Sequence, residues 1–326
     1  VFKLGLLIPM TLNPKQTAFV FPGQGSQAVG MGSLLAKEDP IAAQVFSSAD
    51  EILGYSLSQL CWEGPKETLD DTIYTQPALL TDSIAVLKVF ESRYPQFTPA
   101  VAAGHSLGEF TALVKVGSLS FPEALKLVRE RARCMQQAAE DNPGGMVAVL
   151  GLGSDDVTQI CERASEMSGT GVWIANDNCP GQIVIAGVED ALSLASDLFQ
   201  EKGAKKVVRL AVSIAGHSPL MQQAATAFNQ VLQSTQFQDP QITIIGNASA
   251  QPLRSADQIR KELHDQLISP VRWTESVETI LGSGIDTFIE MGSKTVLTGL
   301  LRRIDREATG LNLNNPESFT ALAEIL

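Results

Sequence analysis

Cysteine is scarce. The 326-residue chain has four, and Cys61, Cys134, Cys161 and Cys179 form no CxxC pair. That spacing argues against a structural zinc site or a disulfide framework and fits a reducing cytosol. Histidine is scarcer still: three residues, His105, His217 and His264, leave few places for imidazole chemistry. Basic residues are outnumbered, 24 against 36 acidic ones, for a net charge of −12. Nucleic acid and anionic membrane both favour a basic face, so neither is expected as the main partner. Long apolar runs are also missing. The apolar start, residues 1–10 (VFKLGLLIPM), is too short to span a bilayer, and no small-residue cleavage pattern follows it. Met10 would serve as a natural start, so residues 1–16 are expected to be an extension ahead of the fold.

The rest of the composition is that of a globular protein, 44% hydrophobic and 18% charged, long enough for a large unit with a smaller insert. Apolar runs alternate with helical patterns, which predicts an α/β fold. Thr17–Phe21 reads as a buried strand leading into the loop Pro22–Gln27. A helix is expected over Gln76–Tyr94, a second strand over Thr98–Ala103, and helices over Leu107–Lys115 and Phe121–Asp141. Residues 144–210 carry their own order: strand Met146–Leu150, helix Ser154–Met167, strands Val172–Asn176 and Gln182–Ala186, helix Glu189–Lys202, strand Lys206–Leu210. That β-α-β-β-α-β order is ferredoxin-like. It predicts a small subdomain inserted between residues 17–143 and 211–326 of a larger, α/β-hydrolase-like one. Beyond it come a helix at Ser218–Gln233, a strand at Ile242–Gly246, helices at Ala256–Leu267 and Val271–Leu281, a strand at Ile285–Glu290, and closing helices.

Gly104-His105-Ser106-Leu107-Gly108 fits G-x-S-x-G between a strand and a helix. A sharp turn there would push the Ser106 side chain out of the sheet and aim free helix N–H groups at a developing oxyanion. A glycine-rich turn with a capping serine is the plainer alternative. A nucleophilic serine needs a base. His217 precedes Ser218-Pro219, a helix start, and so sits on a loop. His105 reads as structural and His264 as solvated, which leaves His217, although a loop histidine with no role is equally compatible with its position. On the Phe121–Asp141 helix, Arg131 falls in the apolar arc while Arg129 and Arg133 fall opposite. A buried arginine calls for an anionic partner, either a carboxylate of the protein or that of a substrate. Phe21-Pro22-Gly23-Gln24-Gly25-Ser26-Gln27 lacks the ending of a phosphate loop. Its glycines would instead expose the Gln24 N–H, which with the Leu107 N–H makes a two-donor oxyanion hole.

Together FPGQGSQ, GHSLGE around Ser106, Arg131 on a buried face and GHS around His217 resemble the malonyl-CoA:acyl carrier protein transacylase family, over about Thr17 to Arg303. The resemblance implies malonyl transfer from malonyl-CoA to an acyl carrier protein by a ping-pong cycle in fatty acid synthesis. It makes Ser106 the nucleophile, His217 its base and Arg131 the malonyl carboxylate binder. Gln24 and Leu107 supply the oxyanion hole, and Gln266 orients His217 through its main-chain carbonyl. No metal or cofactor is implied, and a monomer in the cytosol, or in an organelle stroma, is expected. Gly292-Ser293-Lys294 departs from the Gly-Pro-Gly turn the family often has, at a pocket wall. Carrier docking on an acidic protein needs local basic patches. Lys202, Lys205, Lys206 and Arg209, with Arg302 and Arg303, are candidates, or equally a solvated face. Three alternatives remain: a serine hydrolase using Asp141, Asp177 or Asp190, a non-catalytic acyl-binding module, and a domain of a larger synthase.

Overall fold

The computed structural model describes residues 12–325, so the apolar start lies outside the described residues. The strands are β1 Thr17–Phe21, β2 Val101–Gly104, β3 Gly145–Leu150, β4 Val172–Cys179, β5 Gln182–Gly187, β6 Lys206–Arg209, β7 Thr243–Ile245, β8 Pro252–Leu253, β9 Val271–Arg272, β10 Thr287–Met291 and β11 Thr309–Leu313. The amino-terminal helices are α1 Ser33–Glu38, α2 Pro40–Leu53, α3 Leu57–Glu63, α4 Lys66–Leu69 and α5 Thr72–Arg93. Then come α6 Gly108–Lys115, α7 Phe121–Asp141, α8 Ser154–Ser168, α9 Glu189–Glu201 and α10 Gln222–Ser234. Last are α11 Ala256–Asp265, α12 Trp273–Gly282, α13 Val296–Ile304 and α14 Pro316–Ala323.

The larger sheet has the order β11-β10-β1-β2-β7-β8, parallel except for the β7–β8 pair. Helices cover both faces, so the central strand β1 is buried at every position, as its unbroken apolar run requires. The smaller sheet runs β6-β3-β5-β4-β9. Its first four strands are antiparallel neighbours in the ferredoxin-like arrangement. Along β3 the side chains alternate. Val147 and Val149 pack on α8 and α9 through Val157, Cys161, Ala195 and Phe199. Met146 and Ala148 face the other way, with Val184, Ala186 and Ala215. That second apolar face of the small sheet looks across a cleft toward the end of β2, where the serine turn lies. No helix is long and apolar enough to cross a membrane among the described residues.

Several elements differ from the sequence expectation. Helix α5 begins at Thr72 rather than Gln76, because Asp71 caps it by accepting the Ile73 N–H at 3.3 Å, and Pro77 lies inside it. Strand β11 replaces part of the expected closing helices. Its TGLNL run is only half-buried at the sheet edge and carries no strand alternation. Val271 belongs to β9, which pairs with β4 and ties the small sheet to the large unit, so the following helix starts at Trp273. Pro219–Met221 forms a separate 3-10 turn ahead of α10.

Candidate active site

Ser106 lies at the end of β2, on the turn into α6, with φ 50°. An L-residue resists that conformation, so the turn must be held from outside. Close packing supplies part of the hold. A Cβ on Gly104 would sit 1.9 Å from the Gly108 carbonyl carbon, and one on Gly108 would sit 2.0 Å from Phe21 O. Both glycines are therefore obligatory for β1, β2 and α6 to meet. Asn247 supplies the rest from beyond β7. Its buried Oδ1 accepts the Ser106 N–H at 2.5 Å and its Nδ2 donates to Gly104 O at 2.7 Å. Asn247→Ala leaves both groups without a partner. It should lower stability by about 2–3 kcal/mol and reduce Ser106 reactivity, read by urea unfolding and acylation rate. Unchanged values in both would remove Asn247 from the support of the turn.

Ser106 Oγ is 2.8 Å from His217 Nε2 and accepts from Arg131 Nη2 at 3.0 Å. His217 Nδ1 lies 2.7 Å from the carbonyl oxygen of Gln266. A carbonyl can only accept, so Nδ1 carries the proton and the Nε2 lone pair points at Ser106. Burial, reinforced by the Arg131 charge, pushes the His217 pKa down to about 3. Its imidazole is therefore neutral at physiological pH.

Arg131 is 1% exposed. Of the two anionic partners open to it, a carboxylate of the protein is not found: among the described residues it forms no ion pair. Instead Nη1 donates to Gln76 Oε1 at 2.8 Å and Nη2 to Gln266 Oε1 at 2.8 Å, while Nε has no partner. Burial pulls its pKa down only to about 10, so it stays cationic. The nearest compensating carboxylate stands one amide away, because Gln266 Nε2 donates to Glu109 Oε2 at 2.7 Å. Burial, with the Glu262 charge adding to it, raises the Glu109 pKa well above the ordinary carboxylate value. Gln266 thus does more than hold His217. Its side chain joins Arg131, Glu109 and the Ser106 carbonyl, the last at 3.1 Å.

The remaining expected site residues fall around one cavity of about 460 Å³. Gln24 and Leu107 line it together with Ser106, Arg131 and His217. Neither the Gln24 nor the Leu107 backbone N–H is taken by an acceptor among the described residues. The Gln24 side chain donates to Thr72 Oγ1 at 3.1 Å. The small sheet closes the cavity with Met146, Asn176 and Val184, and Leu210 adds to the wall just beyond β6. His105 turns from Ser106 toward Asn178, Nε2 to Oδ1 at 2.8 Å, and its ring lies 5.5 Å from that of Trp273. His264 sits on α11 beside Asp265. The Nδ1 of His217 meets the Gln266 carbonyl and no carboxylate among the described residues, so the Ser-His-Asp arrangement of a hydrolase is not formed there. Asp177 accepts from Thr274 instead, at 2.7 Å, while Asp141 ends α7 and Asp190 lies in the first turn of α9. No three His, Cys, Asp or Glu side chains group to ligate a metal among the described residues.

Asn247, Gln76 and Glu109 escape a reading of the sequence. An asparagine after a strand and a glutamine before a proline carry no chemical signal by themselves. Glu109 stands next to the serine motif, and only its complete burial marks it.

Residues 18–313 match the acyl transferase domain family. The malonyl CoA-acyl carrier protein transacylase of Haemophilus influenzae is 43% identical over 312 residues, covering 96% of this chain and 99% of the relative. An acyl carrier protein S-malonyltransferase from Vibrio cholerae superposes with a TM-score of 0.91 at 43% identity, covering 94% of this chain and 100% of that one. A malonyl-transacylase solved in complex with its type II polyketide acyl-carrier protein gives 0.91 at 40% identity, covering 95% and 99% of the two chains. With an imidazole and a guanidinium both in contact with one serine on this two-subdomain fold, the chain belongs to the acyl transferase domain family, among the malonyl-CoA:acyl carrier protein transacylases.

Proposed function

We propose that this chain moves a malonyl group from malonyl-CoA to the phosphopantetheine thiol of an acyl carrier protein through malonyl-Ser106, supplying fatty acid synthesis. The observation that carries the reading is Ser106 Oγ lying 2.8 Å from His217 Nε2 and 3.0 Å from Arg131 Nη2. A nucleophile, its base and a carboxylate binder thereby share one cavity.

In the first half-reaction His217 Nε2 takes the Ser106 proton as Oγ attacks the thioester carbon. The oxyanion receives the N–H groups of Gln24 and Leu107. Collapse breaks the C–S bond, and His217 returns its proton to the departing CoA sulfur. In the second half the carrier thiol gives its proton to His217 and attacks the acyl-serine, and Ser106 leaves reprotonated. Gln266 O keeps the imidazole in the productive tautomer throughout. The substrate carboxylate takes the Arg131 N–H that Ser106 Oγ accepts in the free site. All of these steps use side chains and backbone groups, so the reaction needs no resident metal or cofactor.

For the carrier, Lys205 and Lys206 are exposed and form no ion pair among the described residues, whereas Lys202 pairs with Asp156 at 2.9 Å and Arg209 with Glu189 at 2.6 Å. Arg303 is spent on Gln182 and on Pro180 O. Arg302 is likewise exposed and without an ion pair among the described residues, so Lys205, Lys206 and Arg302 are the better docking candidates. We read the working form as a monomer in the cytosol or an organelle stroma.

Intact-mass measurement after mixing with malonyl-CoA tests the transfer. Wild-type protein should gain one malonyl group and lose it to a carrier thiol, and Ser106→Ala should gain none. Rapid release of free malonate without an acceptor would overturn transfer in favour of hydrolysis, and an adduct on Ser106→Ala would overturn the serine assignment.

A further inference from the structure

Among the described residues, four other than glycine hold a positive φ: Ser106 (50°), His217 (60°), Ala250 (54°) and Lys294 (64°). Side chains beyond glycine resist that region, so a residue kept there is held by its surroundings and is a candidate for function. Ser106 and His217 are the reacting pair. Lys294 lines the same cavity, on the turn between β10 and α13.

The turn is well anchored. Asn312 Nδ2 on β11 donates to Lys294 O at 2.6 Å. From there the Lys294 ammonium reaches back to donate to Gly25 O at 2.9 Å. Gly25 directly follows Gln24. The other ties of that segment are Ser26 N–H to Gly23 O at 3.2 Å, Gly25 N–H to Gln27 Oε1 at 2.7 Å, and the side chains of Gln24 on Thr72 and of Gln27 on Asp70; among the described residues only the lysine grips the Gly25 carbonyl. The rim carboxylate that could compete for Lys294 is Asp70, already bound to Lys66 and to Gln27 Nε2 at 2.9 Å.

We infer that Lys294 is a positioning residue for acyl transfer: by gripping Gly25 O it holds the Gly23–Gly25 turn so that the Gln24 N–H stays aimed at the oxygen of the bound thioester. The inference rests on the transfer reading above. An oxyanion donor works only when placed before the charge forms, and small misplacements are expensive. The oxygen it meets is common to every acyl thioester, so the effect is independent of the acyl group. It acts on kcat rather than KM because the oxyanion exists only near the transition state.

Three variants test this. Lys294→Gly removes the ammonium and the unfavourable backbone together. Lys294→Asn removes the ammonium but tolerates the left-handed conformation, and Lys294→Arg keeps a long donor. Both neutral variants should lose about tenfold in kcat, less than the 10²–10³ of deleting an oxyanion donor. The loss should be equal for malonyl-CoA and acetyl-CoA, with KM within about twofold and melting temperature no lower than wild type. Lys294→Arg should recover most of the rate. Unchanged kcat in both neutral variants, or a loss confined to KM, overturns the inference while transfer stands. A wild type that takes up neither acyl group overturns the transfer reading and the inference with it.

Discussion

Arg131→Ala should cut malonyl transfer by about 150- to 5,000-fold, the equivalent of the roughly 3–5 kcal/mol lost when one member of a buried ion pair is removed, while acetyl transfer falls far less. The guanidinium is 1% exposed, remains cationic, and is met in the free protein only by neutral oxygens. A buried cation held by two amides and a hydroxyl is still short of a counter-charge, and in the proposed reaction the malonyl carboxylate would supply it. An acetyl group has nothing to offer there. The variant also strands Gln76 Oε1 and Gln266 Oε1, so part of its loss is structural, and the acetyl rate measures that part. Arg131→Lys should not restore malonyl transfer, because an ammonium cannot reach both amides and the carboxylate with one planar fork. Equal losses for malonyl and acetyl donors would remove Arg131 from the specificity role.

His217→Ala should lower turnover by about 10²–10⁴-fold, the range of a positioned general base, with both acyl donors affected equally. The pH dependence separates the base from its surroundings. The folded pKa is pushed down to about 3 from an ordinary 6.5. The imidazole is thus already the free base across the neutral range, and wild-type kcat/KM should show no acid limb centred near 6.5. The sign for stability follows. The unfolded chain takes up a proton on this residue below 6.5 and the folded chain does not. Its contribution to stability is complete above 6.5 and is lost as pH falls toward 3. His217→Gln should therefore lose less stability than wild type between pH 6.5 and 4 in denaturant titrations. A wild-type activity profile with an acid midpoint near 6.5 would contradict the buried neutral imidazole.

Much of this site is legible because its signals are local. The G-x-S-x-G turn depends on two glycines within four positions of each other, and the structure shows the atomic reason in the contacts a Cβ would make. The buried arginine follows from helical periodicity alone, since Phe121–Asp141 is helical over the expected span with Arg131 on its buried face. The identity of its partners does not follow. Gln76 and Gln266 lie 55 and 135 positions away. Charge alone left a protein carboxylate and a substrate carboxylate both open, and the fold places two amide oxygens and no protein carboxylate directly on the guanidinium among the described residues.

β11 was missed for a related reason. An edge strand buries little, so its sequence need not alternate, and Asn312 within it serves the Lys294 turn rather than a core. Asn247 and Glu109 show the same limit within the site. An asparagine 141 positions from Ser106 becomes its main-chain partner only once β2 and β7 pair.

The amino-acid order by itself determined the sharp serine turn and the buried arginine from periodicity and turn chemistry within about twenty residues, and the α/β class and the inserted ferredoxin-like unit from the succession of such local signals along the chain. Tertiary structure alone decided that Ser106 and His217, 111 positions apart, touch at 2.8 Å, and that Gln266 joins base, guanidinium and elbow. Those contacts depend on how two sheets pack and which buried polar atoms must find partners, and a chain read one stretch at a time does not contain that information.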